Sequence, residues 1–397
     1  MIELTKKQQE AVDVVVKRFK QRLKHTIIAG YAGTGKTTCI NSIIEALVQD
    51  CNIKRNRICV AAYTGKAAQV LINKGYKNVV TLHRLLYDSV LTKEGTYIHK
   101  LKQEIEYSVV IVDEISMVNE KMLKQLIKKA KYIIGIGDPF QLPPISGQGD
   151  ILLQNPHVFL DEITRQAAQS PIIQLSMKIR NGEPITYTQN DEVQVLKKSE
   201  LTEGMLLWAD QIICATNKVR NKVNTKMREL LNKEGDLDEG EKIICLSNYW
   251  DKVSSNQSDY ALTNGVIGTI ENVYPSFVQI PYFIGGGQRV YTVNGNFTAE
   301  TGQKFRDINI DRETMVGNDY GIDGQMLYKL KTHKKYKWIP PLEFTYGYCV
   351  TCWKAQGSEW DKVLILEENF PFDKKEHLRF LYTAVTRARK KVVLVKN

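Results

Sequence analysis

Short apolar runs alternate with segments of helical periodicity along the first 170 residues of the chain. The runs at 26–29, 58–62, 109–112 and 133–136 are four or five residues long and rich in Ile, Val and Ala. Runs of this length and composition are typical of strands buried on both faces of a parallel sheet. Residues 37–48 instead repeat Ile and Leu at helical spacing. The alternation predicts a doubly wound α/β domain.

The same pattern restarts in the second half of the chain. Apolar runs at 211–215, 363–366 and 392–395 predict the strands of a second α/β domain. Between them, residues 250–343 are rich in Gly, β-branched and aromatic residues, a composition typical of strands joined by tight turns. We therefore expect a small all-β insertion within the second domain.

A shorter interruption lies within the first α/β domain, at residues 87–106. There the stretches 88–91 and 96–99 flank the polar segment 92–95. Two short strands around such a segment predict a β-hairpin. The chain is thus expected to hold two α/β domains, each carrying one β insertion.

Composition and charge narrow the functional classes. The chain has 397 residues, of which 43% are hydrophobic and 25% charged, and no stretch approaches the ~20 apolar residues that a membrane span needs. Its net charge of +11 suits a polyanionic partner such as nucleic acid, although solvated lysine faces also make proteins basic. The seven cysteines show no disulfide framework, and Cys349 and Cys352 are interpreted as core residues rather than zinc ligands. No secretory signal follows Met1, so we expect a cytoplasmic protein.

A glycine-rich motif comes directly after the first apolar run. Residues 30–37 read Gly-Tyr-Ala-Gly-Thr-Gly-Lys-Thr, which matches the G-x-x-x-x-G-K-[ST] phosphate-binding loop. Backbone N–H groups of such a loop bind phosphates, Lys36 can reach the outer phosphates, and the Thr37 hydroxyl can hold Mg²⁺. The predicted strand before the motif and helix after it supply the required context. Nucleotide hydrolysis is therefore the first functional hypothesis.

Side chains with matching chemistry occur farther along the chain. Asp113 and Glu114 end an apolar run, where Asp113 can hold hydrated Mg²⁺ and Glu114 can orient or deprotonate the attacking water. Gln141 follows another apolar run and can bridge the γ-phosphate and its neighbours. Arg387, near the end of the helix-compatible run 381–389, can act across a cleft as an arginine finger. These residues predict an active site between two domains that is complete only when the domains close.

The complete set of motifs closely resembles superfamily 1 helicases of the 5′-to-3′ branch, which contains the Dda-type and RecD-type enzymes. The segments that carry the resemblance are 4–8 (Q motif), 64–68 (motif Ia), 81–86 (Ib), 113–117 (II), 137–144 (III), 164–166 (IV), 216–217, 356–359 (V) and 382–387 (VI). The resemblance spans nearly the whole chain. It implies an α/β fold of two RecA-like P-loop domains, with a short β-hairpin insertion in the first and an SH3-like all-β insertion in the second.

The resemblance also implies roles for individual residues, with ATP and Mg²⁺ as cofactors. The expected catalytic residues are Lys36, Asp113, Glu114, Gln141, Arg165 and Arg387, with Thr37 and Asp113 on the metal. The expected nucleotide-binding residues are Gln8 (on adenine), Gly30, Ala32, Gly33, Thr34, Gly35, Lys36, Thr37, Thr38, Gly357 and Glu359. The residues expected on single-stranded DNA are Thr64, Lys66, Thr81, His83, Thr216, Asn217, Thr351 and Trp353.

Two features leave the DNA contacts open. Trp353 stands where the family commonly has His before motif V, and an indole can stack on a base but cannot relay a proton. By resemblance, the hairpin 87–106 is the strand-separating pin. Tyr97 or His99 can be the wedge against the first base pair, and packing within the hairpin is the alternative reading.

The resemblance also sets expected boundaries. The first RecA-like domain would comprise 1–86 and 107–165 around the pin at 87–106, and the second would comprise 166–249 and 344–397 around the SH3-like insertion at 250–343.

The sequence therefore predicts an ATP-dependent DNA helicase that translocates 5′ to 3′ on single-stranded DNA and unwinds duplex, in replication, recombination or repair. A translocase that displaces proteins and an RNA helicase remain alternatives. A non-motor nucleotide switch is disfavoured because a switch needs no second α/β domain bearing Arg387. The expected partners are single-stranded DNA, single/double-strand junctions and replication proteins such as a single-strand-binding protein. By analogy with Dda, a viral replication accessory in the host cytoplasm is the expected setting.

Overall fold

The computed structural model describes residues 4–91, 97–143, 151–257, 260–282, 287–318, 322, 325–326, 329–330, 333, 340–368 and 373–397. The strands are β1 His25–Gly30, β2 Ile58–Ala62, β3 Val79–Thr81, β4 Tyr87–Leu91, β5 Tyr97–Leu101, β6 Val109–Val112, β7 Tyr132–Gly137, β8 Val158–Leu160, β9 Thr188–Gln189, β10 Val193–Lys197, β11 Gln211–Cys214, β12 Lys242–Cys245, β13 Tyr249–Val253, β14 Ala261–Leu262, β15 Ile267–Gln279, β16 Arg289–Ala299, β17 Lys304–Asp311, β18 Phe344–Tyr346, β19 Cys349–Thr351, β20 Trp360–Leu366 and β21 Ala388–Lys396. The α-helices are α1 Lys6–Lys20, α2 Lys36–Asp50, α3 Gly65–Asn73, α4 Leu82–Leu86, α5 Glu120–Lys129, α6 Ile151–Gln154, α7 Arg165–Ala168, α8 Pro171–Asn181, α9 Glu203–Trp208, α10 Asn217–Leu230, α11 Arg312–Met315, α12 Cys352–Ala355 and α13 Lys374–Val385.

The first sheet has the strand order β3-β2-β6-β7-β1-β8, and all its neighbouring strands run parallel. Alternate residues face opposite sides, as the strand period of two requires. Ile28 packs with α1 and α2 on one face, and Ile27 packs with α4 and α5 on the other. The predicted α/β architecture with a parallel sheet is therefore confirmed. The carboxyl ends of β6, β7 and β1 lie side by side, which is where ligands bind in such sheets.

The second sheet has the order β19-β11-β20-β21-β10-β9, parallel except for the antiparallel edge pair β9–β10. Helices α8 and α13 pack on one face, and α9 and α10 on the other. The predicted strands at 211–215, 363–366 and 392–395 all belong to this sheet.

The chain between β11 and β19 forms a five-stranded antiparallel sheet with the order β17-β16-β15-β12-β18. Its core includes the fully buried rings of Phe297 and Phe344. The sheet is wider than the predicted insertion at 250–343, because β12 and β18 lie outside it and pair with β15 and with each other. These two short apolar runs resemble buried parallel strands, so the sequence pattern could not assign them to the correct sheet.

Strands β4 and β5 pair antiparallel, from Tyr87 opposite Leu101 to Leu91 opposite Tyr97. The connecting residues 92–96 and the side chains of the two wedge candidates, Tyr97 and His99, lie outside the described residues.

Cys349 and Cys352 are buried free thiols, as the sequence predicted. In the described part of the chain, no helix combines the length and the apolar character that crossing a bilayer requires.

Asn224 joins α10 to the chain between β18 and β19. Its buried amide donates to the carbonyl oxygens of Tyr346 and Cys349 and accepts from the Cys349 N–H. Asn224→Ala leaves these backbone groups without partners and is expected to lower the free energy of unfolding by about 2–4 kcal/mol. Urea denaturation would measure the loss. Lys222→Ala, on the exposed face of the same helix, is the control, and equal stability of the two variants would contradict the assignment.

Candidate nucleotide and nucleic-acid sites

The predicted phosphate loop connects β1 to α2. Gly33 and Gly35 have φ of 80° and 72°, a left-handed conformation that glycine adopts without strain. Gly33 is also closely packed, because a Cβ there would lie 3.1 Å from the Ala167 Cβ. The loop backbone therefore takes the tight path that the motif predicts, at the carboxyl end of β1.

Gln8 lies against the far end of this loop. Its Nε2 donates to the Thr34 carbonyl at 3.0 Å, and its Oε1 accepts from the Thr5 N–H as part of a capping box at the start of α1. A Cβ at Gly35 would lie 2.3 Å from the same Nε2. The structure thus brings Gln8 to the loop and fixes its side chain there.

The carboxylates after β6 sit beside the loop. Asp113 Oδ1 accepts from the Glu114 N–H at 3.0 Å, and Glu114 holds a left-handed backbone with φ of 51°, a conformation rare for a non-glycine residue. Gln141 Nε2 lies 3.5 Å from Glu114 Oε1. Glu114 Oε2 and Gln141 Oε1 are buried without a hydrogen-bond partner among the described residues. Burial, and then the Glu114 charge, raise the pKa of Asp113 to about 6, while Lys36 opposes them.

Asp138, at the end of β7, links the loop to the second sheet. The side chain is fully buried, and its Oδ2 accepts from the Tyr382 hydroxyl at 2.6 Å. The same hydroxyl accepts from the Ala32 N–H of the loop at 2.7 Å. Lys36 Nζ donates to the Tyr31 carbonyl at 2.9 Å and lies 3.8 Å from Asp138 Oδ2. Burial raises the pKa of Asp138 and that of Tyr382.

The segment 138–143, which begins with Asp138, forms hydrogen bonds with side chains of α12 and α13 and with Gln356, the residue after α12. These bonds run from Arg379 to the Pro139 carbonyl, from the Leu142 N–H to the Thr383 hydroxyl, from Gln356 to the Leu142 carbonyl, and from the Trp353 indole to the Pro143 carbonyl. The segment begins in the first sheet and depends on the second for its hydrogen bonds.

The predicted arginine finger is not at the loop. Arg387 is buried, with 4% exposed, and its guanidinium donates to the Thr383 and Ser358 carbonyls and the Thr386 hydroxyl of its own domain. The backbone beside Arg165 does reach the loop, since the Thr164 N–H donates to the Gly33 carbonyl at 3.1 Å. The Arg165 side chain lies outside the described residues.

Two predicted nucleotide-binding residues lie elsewhere. Gly357 packs against α3, where an added Cβ would lie 3.0 Å from the Ala67 Cβ, and the Glu359 side chain is exposed. The structure therefore does not bring Gly357 or Glu359 to the phosphate loop.

All eight predicted DNA contacts line one cavity of about 880 Å³ between the two parallel sheets. They are Thr64, Lys66, Thr81, His83, Thr216, Asn217, Thr351 and Trp353. The predicted single-strand contacts, which are distant in sequence, are thus brought together.

Four of these residues occupy equivalent places. Thr64, Thr81, Thr216 and Thr351 each stand between a parallel strand and the following helix. Thr64 and Thr216 cap the longer helices, α3 and α10, through hydroxyls that accept from backbone N–H groups. Because helix N-termini favour anions, α3 and α10 present suitable ends for phosphates.

The cavity also holds residues that the sequence did not single out. The Tyr63 ring lies 6.1 Å from the His83 ring, which lies 6.0 Å from the Tyr87 ring. Arg220 and Lys354 add positive charge to the lining. Tyr63 adjoins Thr64 in sequence, so proximity to a motif was the signal that could have found it.

Comparisons with known proteins agree with this geometry. Residues 3–198 match the AAA domain family, and residues 346–395 match the UvrD-like helicase C-terminal domain family. The chain is 32% identical over 192 residues to the ATP-dependent DNA helicase dda of Enterobacteria phage T4, covering 45% of this chain and 43% of that protein. It is 25% identical over 395 residues to the ATP-dependent RecD2 DNA helicase of Deinococcus radiodurans, covering 91% of this chain and 46% of that protein.

The chain is similar to superfamily 1 helicases of the branch that contains Dda and RecD. It spans less than half the length of the two relatives named above. Its fold resembles that of Pif1 helicase from Candida albicans, with a TM-score of 0.52 at 19% identity, covering 100% of this chain and 95% of that one. It also resembles Bacteroides Pif1 solved with ADP-AlF3 and ssDNA, with a TM-score of 0.54 at 18% identity, covering 99% and 92%.

One predicted DNA contact, Lys66, already forms an ion pair within the protein. Lys66 is only 8% exposed, and its Nζ donates to Glu300 Oε2 at 2.9 Å while lying 4.3 Å from the Trp360 ring centroid. Glu300 also pairs with Lys242 at 2.7 Å and accepts from the Trp360 indole. Glu300 therefore joins α3, the antiparallel sheet and the second parallel sheet.

The pKa shifts of Glu300 and Lys66 show that their pairing affects the two groups differently. Although burial opposes them, Lys242 and Lys66 lower the pKa of Glu300 to about 2. Burial lowers the pKa of Lys66 despite the attraction of Glu300. The pairing thus stabilises the carboxylate, but it only partly offsets the desolvation of the ammonium.

Removing the Glu300 charge is expected to destabilise the protein. Glu300→Gln should lower the free energy of unfolding by about 1–3 kcal/mol at pH 7, because two lysines lose a charged partner. A depressed carboxylate pKa stabilises the folded state above the unfolded value and stops doing so as pH falls through the folded value. The difference in Tm between wild type and variant should therefore be largest above about pH 5 and shrink towards pH 2. Glu271→Gln, at an exposed position of β15, is the control; a pH-independent difference would show that charge is not the cause.

Proposed function

We propose that this protein is an ATP-dependent DNA helicase that moves 5′ to 3′ along single-stranded DNA and unwinds duplex. The carrying observation is the segment 138–143, which runs from the phosphate loop to the nucleic-acid cavity. Asp138 bonds Tyr382 beside the loop, and Pro143 lines the cavity and accepts from the Trp353 indole. A change at one site can therefore move groups at the other, which is what coupling of hydrolysis to movement requires.

The nucleotide cleft has the chemistry for ATP hydrolysis. The Thr37 hydroxyl and Asp113 would hold Mg²⁺, which would neutralise charge on the phosphates. The described residues contain no group of three or more His, Cys, Asp or Glu placed to hold a metal ion by themselves, and Mg²⁺ on a phosphate chain needs only one or two protein carboxylates. The buried, unpartnered Glu114 Oε2 can accept the proton of an attacking water, and the Gln141 amide beside it can orient that water.

The cavity suits a single strand more than a folded ligand. Its lining combines helix N-termini, the cations Arg220 and Lys354, and the rings of Tyr63, His83 and Trp353. Phosphates can bind the helix N-termini and the cations, and bases can stack on the rings, without readout of base edges. We expect little sequence preference and binding that weakens with salt.

The β insertions are assigned by family likeness. We propose that the parallel sheets are RecA-like domains, that the antiparallel sheet is an SH3-like insertion, and that strands β4 and β5 form the separating pin. A second cavity, of about 1020 Å³, lies at the base of β4 and β5 and is lined by Tyr87, Lys102, Val253 and Tyr260. Because Thr81, His83 and Thr263 line both cavities, they are adjacent, and the junction of single and double strand would lie there.

We further propose a role in replication, recombination or repair, in the cytoplasm, beside proteins such as a single-strand-binding protein. A viral origin fits the phage relative dda.

Glu114→Gln keeps the shape of the side chain but removes the base. Turnover of ATP in the presence of single-stranded DNA should fall by about 10²–10⁴-fold, with nucleotide affinity nearly unchanged. A coupled ATPase assay measures the loss. Lys121→Ala, on the exposed face of α5, should hydrolyse ATP like wild type, whereas full activity of Glu114→Gln would refute the assigned chemistry.

Polarity is tested with one duplex carrying either a 5′ or a 3′ single-stranded tail. Strand displacement with ATP is expected only from the 5′-tailed substrate, with Glu114→Gln as the inactive control. If neither substrate is unwound despite DNA-stimulated ATP hydrolysis, the protein is a translocase that does not open duplex. That result would also contradict the assignment of β4 and β5 as the separating pin. Equal stimulation by RNA would contradict the choice of DNA.

A further inference from the structure

Arg180 places a cation at the phosphate loop from the opposite domain. Its guanidinium carbon lies 3.7 Å from the centroid of the Tyr31 ring, and Tyr31 is the second residue of the loop. Arg180 belongs to α8, whose Ile172, Leu175 and Ile179 are buried in the core of the second parallel sheet. The arginine is therefore fixed to one domain while its head group touches the other.

The head group of Arg180 has unused donors. A guanidinium carries five N–H donors, yet within the described residues this one makes no hydrogen bond or ion pair beyond its contact with the ring. Arg180 is only partly exposed. By contrast, the Arg387 guanidinium is buried and bonded to its own domain.

The position along the loop indicates which part of a nucleotide Arg180 would meet. Lys36, the residue that reaches the outer phosphates in such loops, donates to the carbonyl of Tyr31, the residue on which Arg180 stacks. The Tyr382 hydroxyl accepts from the Ala32 N–H. Arg180 lies close enough to Tyr382 for the guanidinium charge to act on the phenol. Gln8 contacts Thr34 at the other end of the loop. Arg180 thus lies on the outer-phosphate side.

We propose that Arg180 binds the γ-phosphate of ATP across the interdomain cleft. The guanidinium rests on Tyr31 and would turn its N–H donors to the terminal phosphate of bound ATP, because its planar fork of donors is well suited to phosphate oxygens. This assignment rests on the proposed ATPase function and adds a residue that reports, from the second domain, whether the third phosphate is present.

A purely structural role makes a different prediction. An arginine in the last turn of a helix also stabilises the helix end, and stacking on Tyr31 would support the loop for any nucleotide. Lys178 lies in the same last turn but is exposed, so Lys178→Ala removes a comparable helix-end charge without touching the loop.

The test compares affinities for a non-hydrolysable ATP analogue and for ADP, both with Mg²⁺, by calorimetry. Arg180→Ala should bind the analogue about tenfold or more weakly, because it loses a charge-assisted hydrogen bond. Its affinity for ADP should stay within about twofold of wild type. The affinity of Arg180→Lys for the analogue should lie between those of Arg180→Ala and wild type. Lys178→Ala should bind both nucleotides like wild type. Unchanged ADP affinity also shows that the variant is folded.

Equal weakening of both nucleotides, or no weakening of the analogue, would overturn the assignment while leaving the ATPase proposal intact. Absence of nucleotide binding and of DNA-stimulated turnover in the wild type would instead overturn the proposed function, and this inference with it.

Discussion

The hydroxyl of Tyr382 is the point through which the two parallel sheets are joined at the nucleotide site. It donates to a buried carboxylate of the first sheet, Asp138, and accepts from the Ala32 N–H of the phosphate loop. Because Asp138 and Tyr382 are both buried, loss of the bond between them would leave a buried polar group unpaired. The second domain therefore engages the Ala32 N–H, a backbone donor at the start of the loop.

The segment after Asp138 extends this contact between the sheets towards the candidate nucleic-acid cavity. Its carbonyls and N–H groups are satisfied by α12, α13 and the residue after α12, and buried backbone groups require such partners. Any rearrangement of the second sheet relative to the first must therefore move the segment or break its hydrogen bonds. Under the proposed function, ATP would move the domains by displacing Tyr382 and engaging Lys36 and Arg180, because a conformational change follows only from differential interaction with the two states.

The charged residues show how far sequence reasoning reached. Lys36, Asp113, Glu114 and Gln141 were predicted from motifs, and the structure brings them together because β1, β6 and β7 end at one edge of the first sheet. Arg387 was predicted from its chemistry and from the resemblance of 382–387 to motif VI, but its guanidinium bonds its own domain. Lys66 lines the expected cavity, yet its nearest charge is Glu300, 234 residues away in sequence.

The sequence by itself determined the α/β class, the phosphate loop and the two motif carboxylates, because each depends on local pattern or on groups a few residues apart. Only the tertiary structure decided which cations make no ion pair among the described residues, which strands join the antiparallel sheet, and where the two candidate sites meet. These depend on contacts between distant segments, such as Arg180 on Tyr31 or Asp138 on Tyr382. Spacing along a chain carries no information about how distant segments are oriented against one another, and that orientation sets these contacts.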